Sequence, residues 1–108
     1  MLAKKYKLPI REFFVQKAKF LGKSPYFGIK IRQNNLKYSR FGVIVGKKVF
    51  PKAASRNKIK RIIFNFIKKE KLQLNPGQDV LISVFPKAAV LEKTNIEKEM
   101  ESLKNIFK

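Results

Sequence analysis

Cationic and amide side chains between residues 56 and 68 form the set best suited to chemistry with a charged ligand. The set comprises Arg56, Asn57, Lys58, Lys60, Arg61, Asn65 and Lys68. Arginine offers a planar fork for bidentate hydrogen bonds, and lysine offers a point charge. Asparagine carries an amide that donates to phosphate or ribose oxygens. These residue types together predict a surface that binds phosphate groups.

An amphipathic helix is expected to position these side chains. Apolar residues recur every three or four positions, which predicts one buried helix face from about Ala53 to Lys71. They are Ile59, Ile62, Ile63, Phe66 and Ile67. At 100° per residue, the cationic and amide side chains fall mainly on the opposite side. The alternative is an ordinary solvated face. Such faces mix signs because Glu–Lys pairs stabilise helices, and Glu70 is the only acid here.

The net charge of +19 lies entirely in the first two-thirds of the chain. Residues 1–71 hold 21 Lys and Arg against two acids, whereas residues 72–108 hold five of each sign. Such an excess repels itself and costs stability, so we expect it to serve a polyanionic partner. Neither Cys nor His is present, which excludes thiol catalysis and removes the usual general base and the commonest metal ligand. We therefore assign no catalytic and no metal-binding residue.

The apolar residues are too scattered for a membrane span. The longest strictly apolar run has four residues, Ala88 to Leu91, whereas a spanning helix needs about 20. The basic start is not followed by the long apolar stretch of a secretory signal. We expect one domain over residues 1–108 in the cytoplasm, with no membrane partner.

Turn and periodicity signals predict elements on both sides of the cationic helix. Pro9 can start a helix over about residues 10–20, which Gly22 ends. Alternation over residues 27–31 predicts a half-buried strand, and residues 41–45 and 80–85 are typical of more fully buried strands. Asn34-Asn35 and residues 75–77 indicate turns.

A last helix completes the predicted fold. Residues 94–97 have the pattern of a capping box, with Thr94 before the helix and Glu97 three positions later. The buried face of that helix is expected to comprise Ile96, Met100, Leu103 and Phe107. The order helix, strands, helix, strand, helix predicts an α+β fold, a small two-layer sandwich in which helices cover a sheet.

Aromatic residues are numerous beside the basic ones. Thirteen of the 108 residues are Phe or Tyr, including Phe13, Phe14 and Phe20 on the predicted first helix and Tyr26 and Phe27 at the next strand. Exposed rings beside cations stack on unpaired bases, whereas buried rings simply fill a core. Both interpretations remain open for each ring.

Two linked segments resemble the signature of the bacterial ribonuclease P protein subunit. The first is Gly42-Val43-Ile44-Val45-Gly46-Lys47-Lys48, and the second is Ala53-Ala54-Ser55-Arg56-Asn57-Lys58-Ile59-Lys60-Arg61. Similar stretches include Tyr6-Lys7-Leu8 with Glu12-Phe13-Phe14 near the start, and residues 77–88 and 94–107 later. The resemblance thus covers nearly the whole chain.

This resemblance implies a fold, an activity and partners. The family fold has order α-β-β(-β)-α-β-α with a left-handed βαβ crossover, an exception to the usual right-handed rule. The family protein binds the catalytic RNA of ribonuclease P and the 5′ leader of precursor tRNA, and cleavage resides in the RNA. Mg²⁺ is held mainly by RNA and substrate phosphates, and no protein partner is required.

The resemblance also assigns residues to two surfaces. The matching positions for the RNA subunit lie within the set from Arg56 to Lys68. Those for the leader are Phe13, Phe14, Lys17, Tyr26, Phe27, Lys47 and Lys48. The alternative function is a ribosomal or other structural RNA-binding protein, which shares the size and charge but not the linked segments. A self-sufficient nuclease would want several converging carboxylates, and only Glu12 and Glu70 lie in the basic region.

Overall fold

A four-stranded sheet and two helices make up the fold in a computed structural model that describes residues 3–9, 19–23, 26–46 and 50–103. The strands are β1 (Lys19–Lys23), β2 (Phe27–Gln33), β3 (Arg40–Val45) and β4 (Gln78–Val84). The helices are α1 (Ala53–Lys69) and α2 (Lys93–Leu103). Short 3₁₀ segments lie at Lys4–Tyr6, Leu72–Leu74 and Pro86–Val90.

The sheet is mixed, with strand order β1-β2-β4-β3. β2 runs antiparallel to both β1 and β4, whereas β3 runs parallel to β4. Parallel neighbours need a crossover connection, and α1 lies within the connection from β3 to β4. The predicted small α+β fold is therefore confirmed. The left-handed sense of its crossover stays a prediction.

The main core lies between the sheet and the helices. Alternate residues of β2 and β4 are buried on this side, among them Ile29, which pairs with Ile82. The other face of β4 is also covered, because Leu81 is buried in a small cluster with Leu8 and half-buried Ile44. Burial on both faces explains why the sequence of β4 is almost continuously apolar.

Helix α1 packs on the sheet through the stripe that its sequence predicts. Ile59, Ile63 and Ile67 recur every four residues and are fully or almost fully buried, with Phe66 beside them. Each such side chain contributes about 1.5–3 kcal/mol when it leaves water. The helix ends at Lys69, two residues before the predicted end, and Lys71 then adopts a left-handed conformation with φ 56°. This packing fixes which side of α1 faces solvent.

Three of the predicted strands are confirmed, and so are the turns at Asn34-Asn35 and residues 75–77. The predicted helix over residues 10–20 is wrong at its end, because Lys19 and Phe20 belong to β1. Residues 10–18 lie outside the described part. Gly22 does not end a helix but follows an irregularity in the β1–β2 pairing. Pairing with β2 supplies backbone partners that outweigh local helical preference.

The last helix begins two residues earlier than its capping pattern predicts, since Thr94 as N-cap would make Asn95 the first helical residue. Lys93 already belongs to α2, so Thr94 lies inside the first turn and not at the N-cap. The backbone N–H of Ile96 donates to the carbonyl of Glu92 at 2.9 Å, which closes that turn. Ile96 and Met100 are buried as predicted. The side chain of Leu103, and Phe107 as a whole, are outside the description.

Candidate nucleic-acid interface

The solvent-facing side of α1 carries a stripe of polar and cationic side chains. Asn57, Arg61, Asn65 and Lys68 are all exposed, and their spacing of three or four residues places them on one side of the helix. Within the described residues, no ion pair involves Arg61 or Lys68. The stripe therefore presents charge and amide donors to solvent.

A groove beside this stripe adds a lysine from a distant part of the chain. The groove, called here the α1 groove, has a volume of about 560 Å³. It is lined by Lys7, Ala54, Asn57, Lys60, Arg61 and Phe64. The Lys7 Nζ lies 5.6 Å from the centre of the Phe64 ring. The N-terminal segment is held there because the Leu8 N–H donates to the Phe41 carbonyl at 2.9 Å.

Arg56 is turned away from the stripe. Its Nη1 donates to the carbonyls of Phe50 and Pro51, at 2.8 and 2.9 Å, and the side chain is half-buried. Arg56 lies seven residues before Ile63 and so shares the inward side of the helix. It fastens the segment before α1 to the helix. Among the predicted phosphate-binding residues, Arg56 therefore stabilises the fold through hydrogen bonds to the backbone before α1.

Lys58 lies on the other flank of α1. It is exposed and lines a groove of about 340 Å³ between α1 and α2, together with Ile62, Glu92 and Ile96 among others. The structure thus divides the predicted set. Asn57, Lys60 and Arg61 meet in one groove, whereas Lys58 faces a mixed environment that includes an acid.

The predicted leader-binding set is only partly described. Phe13, Phe14, Lys17, Lys47 and Lys48 lie outside the described residues. Phe27 is fully buried in the main core and cannot stack on a base while the protein is folded, so its assignment is corrected. In a strand with alternating faces, a residue can point to the core or to solvent, and the pairing of β2 with β4 places Phe27 on the core side. Tyr26 is half-buried and packs against the same core.

A buried ion cluster lies at one end of the sheet. Asp79 is fully buried and receives hydrogen bonds from Arg40, at 2.8 and 2.7 Å, and from Arg32, at 3.1 and 2.9 Å. The Asn34 amide donates to the same carboxylate at 2.9 Å. Burial alone would raise the pKa of Asp79, but the bonds from Arg40, Asn34 and Arg32 outweigh it and lower the pKa. This cluster links β2, β4 and β3 in one row.

A second groove lies where the N-terminal segment meets the connection between β2 and β3. This N-terminal groove has a volume of about 550 Å³. It is lined by Lys4, Lys5, Lys7, Leu8, Pro9, Tyr38 and Arg40. None of these residues belongs to a site that the sequence predicts. The segment Tyr6-Lys7-Leu8 was the available signal, but nothing in the sequence shows that Tyr38 lies beside it.

The described part of the chain shows neither a metal-binding cluster nor a membrane-spanning helix. There, no three or more His, Cys, Asp or Glu side chains come together as a metal ion would require. Neither described helix combines the length and the apolar character that crossing a bilayer needs.

The fold and surface define a small, strongly basic α+β protein with one cationic helix face beside a cationic groove. Comparison with known proteins gives the family. The family model described as "Ribonuclease P" matches residues 3–108, so the chain belongs to the ribonuclease P protein family. Between the two RNA-binding alternatives that the sequence raised, this match favours the ribonuclease P family.

Individual relatives agree with that assignment. The ribonuclease P protein component of Lactobacillus helveticus is 37% identical over 71 residues, which is 66% of this chain and 58% of the relative. The aligned part thus spans little more than half of that relative. The ribonuclease P protein of Thermotoga maritima superposes with a TM-score of 0.79 at 27% identity, covering 90% of this chain and 95% of the other. The Staphylococcus aureus protein gives 0.83 at 24% identity over 95% of both chains, and shows the same fold.

Proposed function

We propose that this chain is the RNA-binding protein subunit of ribonuclease P and acts in the cytosol on precursor tRNA. The match of the family model over residues 3–108 carries this proposal. The exposed stripe of α1 and the α1 groove give it a physical basis. In this function, catalysis of 5′-leader removal resides in the RNA subunit, and the protein supports binding.

The α1 surface supplies the contacts to the RNA subunit. Arg61 presents a guanidinium fork to one phosphate, while Lys60 and Lys7 add point charges on the same groove. Asn57 and Asn65 donate amide hydrogens to phosphate or ribose oxygens. Because phosphate contacts set affinity without reading bases, this surface suits an RNA recognised by shape.

Mg²⁺ would be held mainly by phosphates and not by this chain. The described residues bring no carboxylate cluster together, and a cationic surface repels a bare divalent ion. Mg²⁺ prefers oxygen ligands, which RNA and substrate phosphates supply. The protein helps by lowering repulsion between those phosphates, so that fewer metal ions are needed to bring them together.

Reconstitution tests the proposal directly. The purified protein is mixed with a bacterial ribonuclease P RNA and precursor tRNA, and 5′ cleavage is measured at low Mg²⁺. We expect cleavage with both components, little with the RNA alone and none with the protein alone. Cleavage that is the same with and without protein at every Mg²⁺ concentration would contradict the proposal.

Two variants make the assay specific to the α1 surface. Arg61→Ala should need more protein to reach half-maximal cleavage, because it removes an exposed phosphate contact. Lys98→Gln removes one exposed charge from α2, outside both cationic grooves, and should behave as wild type. Equal loss in the two variants would mean that only overall charge matters.

A further inference from the structure

Two tyrosines that are distant in sequence meet at the N-terminal groove. The rings of Tyr6 and Tyr38 lie edge to face, with centres 5.3 Å apart and an interplanar angle of 89°. The Lys5 Nζ lies 5.0 Å from the centre of the Tyr6 ring and 5.4 Å from that of Tyr38. Tyr6 packs against the main core, whereas Tyr38 lines the groove. Tyr38 therefore offers the accessible aromatic surface, and Tyr6 supports it.

Tyr38 stands on a well-anchored stretch of backbone. The Asn34 amide donates to the Tyr38 carbonyl at 3.2 Å while it also donates to buried Asp79. The next residue, Ser39, is fully buried; its hydroxyl donates to the Asn75 carbonyl at 2.6 Å, and its N–H donates to the Gln73 carbonyl at 2.9 Å. Because the backbone that carries the ring is already fixed, little backbone freedom is lost when the ring binds a ligand.

The charged side chains that line the N-terminal groove are all cationic. Three lysines, at positions 4, 5 and 7, line the groove, and no acid is among its lining residues. Lys7 also lines the α1 groove, so the two grooves join at one side chain. A polyanion bound along α1 can therefore continue past Lys7 to Tyr38 without leaving cationic surface.

An aromatic ring beside several cations is the combination that binds single-stranded nucleic acid. We propose that the N-terminal groove is a nucleotide subsite in which an unpaired RNA base stacks on Tyr38 and the groove lysines bind the flanking phosphates. In the free protein, the Lys5 ammonium occupies the space beside the ring. Base stacking outweighs an exposed cation–π contact, so the base displaces Lys5, which turns to a phosphate.

This subsite deepens the proposed function and rests on it for the source of the base. An unpaired base can come from the RNA subunit or from the 5′ leader of the precursor. The groove is large enough for a nucleotide, since small-ligand sites typically have about 300–1,000 Å³. A purely structural contact, in which Lys5 only fastens the N-terminal segment to Tyr38, is the competing explanation.

The test uses three variants of the full chain. Tyr38→Leu keeps apolar bulk but removes the π-face, Tyr38→Phe keeps the π-face, and Lys98→Gln is a charge control on α2. Binding is measured by anisotropy with a labelled single-stranded RNA octamer and with the RNA subunit. The assembled holoenzyme is then tested with precursor and with mature tRNA. Melting temperatures accompany every variant.

We expect Tyr38→Leu to weaken octamer binding about tenfold, within the range of one lost stacking contact, while the other two variants stay within about twofold of wild type. A matching loss with the RNA subunit assigns the base to that RNA. If the variant holoenzyme loses affinity for precursor tRNA but not for mature tRNA, the stacked base belongs to the leader. Either assignment supports the subsite.

Failure of the subsite and failure of the proposed function have different signatures. If wild type binds the octamer through Tyr38 but not the RNA subunit, the proposed function fails and the subsite stands. If Tyr38→Leu melts like wild type and binds every RNA with wild-type affinity, the subsite is wrong. A lower melting temperature of Tyr38→Leu with unchanged affinity assigns the cluster a structural role only and also overturns the proposal.

Discussion

Arginine has opposite surroundings in two regions of this molecule. At the sheet end, Arg32 and Arg40 surround a buried carboxylate, and their charges hold three strands together. On α1, Arg61 is exposed and forms no ion pair within the described residues. The same side chain is therefore part of the fold where an acid accompanies it, and is available to a ligand where none does.

Arg56 lies between these extremes. Among the described residues no carboxylate pairs with it, yet two backbone carbonyls accept hydrogen bonds from its Nη1, and it is half-buried. Its hydrogen bonds replace part of what a phosphate would offer. A cationic motif in the sequence therefore does not tell how many of its side chains face a ligand, because backbone carbonyls compete for them.

The largest expected effect concerns the ion cluster around buried Asp79. Asp79→Asn removes the buried carboxylate from Arg32 and Arg40, whose side chains are 8% and 20% exposed. Breaking a buried ion pair by removing one partner costs about 3–5 kcal/mol. We expect the free energy of unfolding in urea to fall by that amount. A loss below about 1 kcal/mol would mean that the cluster contributes little to stability.

Added salt should change RNA affinity and protein stability in opposite directions. RNA affinity should fall about 50- to 150-fold between about 50 and 200 mM salt if four phosphates are neutralised. The unfolding free energy should instead rise with salt, because screening reduces the self-repulsion of the +19 charge. If RNA affinity and the unfolding free energy both fell over this range, the contrast between arginines paired with Asp79 and unpaired cations on α1 would be wrong.

Arg61→Ala and Arg56→Ala should differ in kind. Each lost charge-assisted contact to RNA should cost about 1–3 kcal/mol of binding. Arg61→Ala should leave the melting temperature unchanged, whereas Arg56→Ala should lower it because the carbonyls of Phe50 and Pro51 lose their donor. Identical melting curves for the two variants would remove the distinction drawn for Arg56.

The smallest effect is the response of Asp79 to acid. Its pKa is lowered in the folded state, so its contribution to stability is complete above the unfolded value of about 4 and is lost as the pH falls below it. A carboxyl-detected NMR titration should place Asp79 below the other carboxyl groups. A midpoint at or above its ordinary value would contradict the hydrogen-bond assignment.

Local periodicity predicted most of the fold. The stripe of α1 and the alternation in β2 are signals that each segment carries within itself, and both were confirmed. β1 escaped prediction because its strand character comes from pairing with β2, which its own residues do not encode. The start of α2 differs by two residues from the capping pattern, because the first turn closes on the carbonyl of Glu92 and not on that of Thr94.

The candidate site was predicted less completely than the fold. The exposed residues of α1 follow from helix geometry, so Asn57 and Arg61 could be placed from sequence. The approach of Lys7 and the meeting of Tyr6 with Tyr38 depend on long-range packing that no spacing reveals. Phe27 illustrates the reverse error, since an aromatic ring beside cations was assigned to a ligand and belongs to the core.

The central position of β4 has a consequence for synthesis on the ribosome. β2 and β3 lie on opposite sides of β4, so neither can join the sheet's central ladder until residues 78–84 have emerged. By then residues 1–71, which carry the entire net positive charge, have already left the ribosome, although the hydrophobic core has not yet formed. Because such non-local pairings form slowly, the nascent chain has an interval in which an unfolded polycation is exposed to cellular RNA.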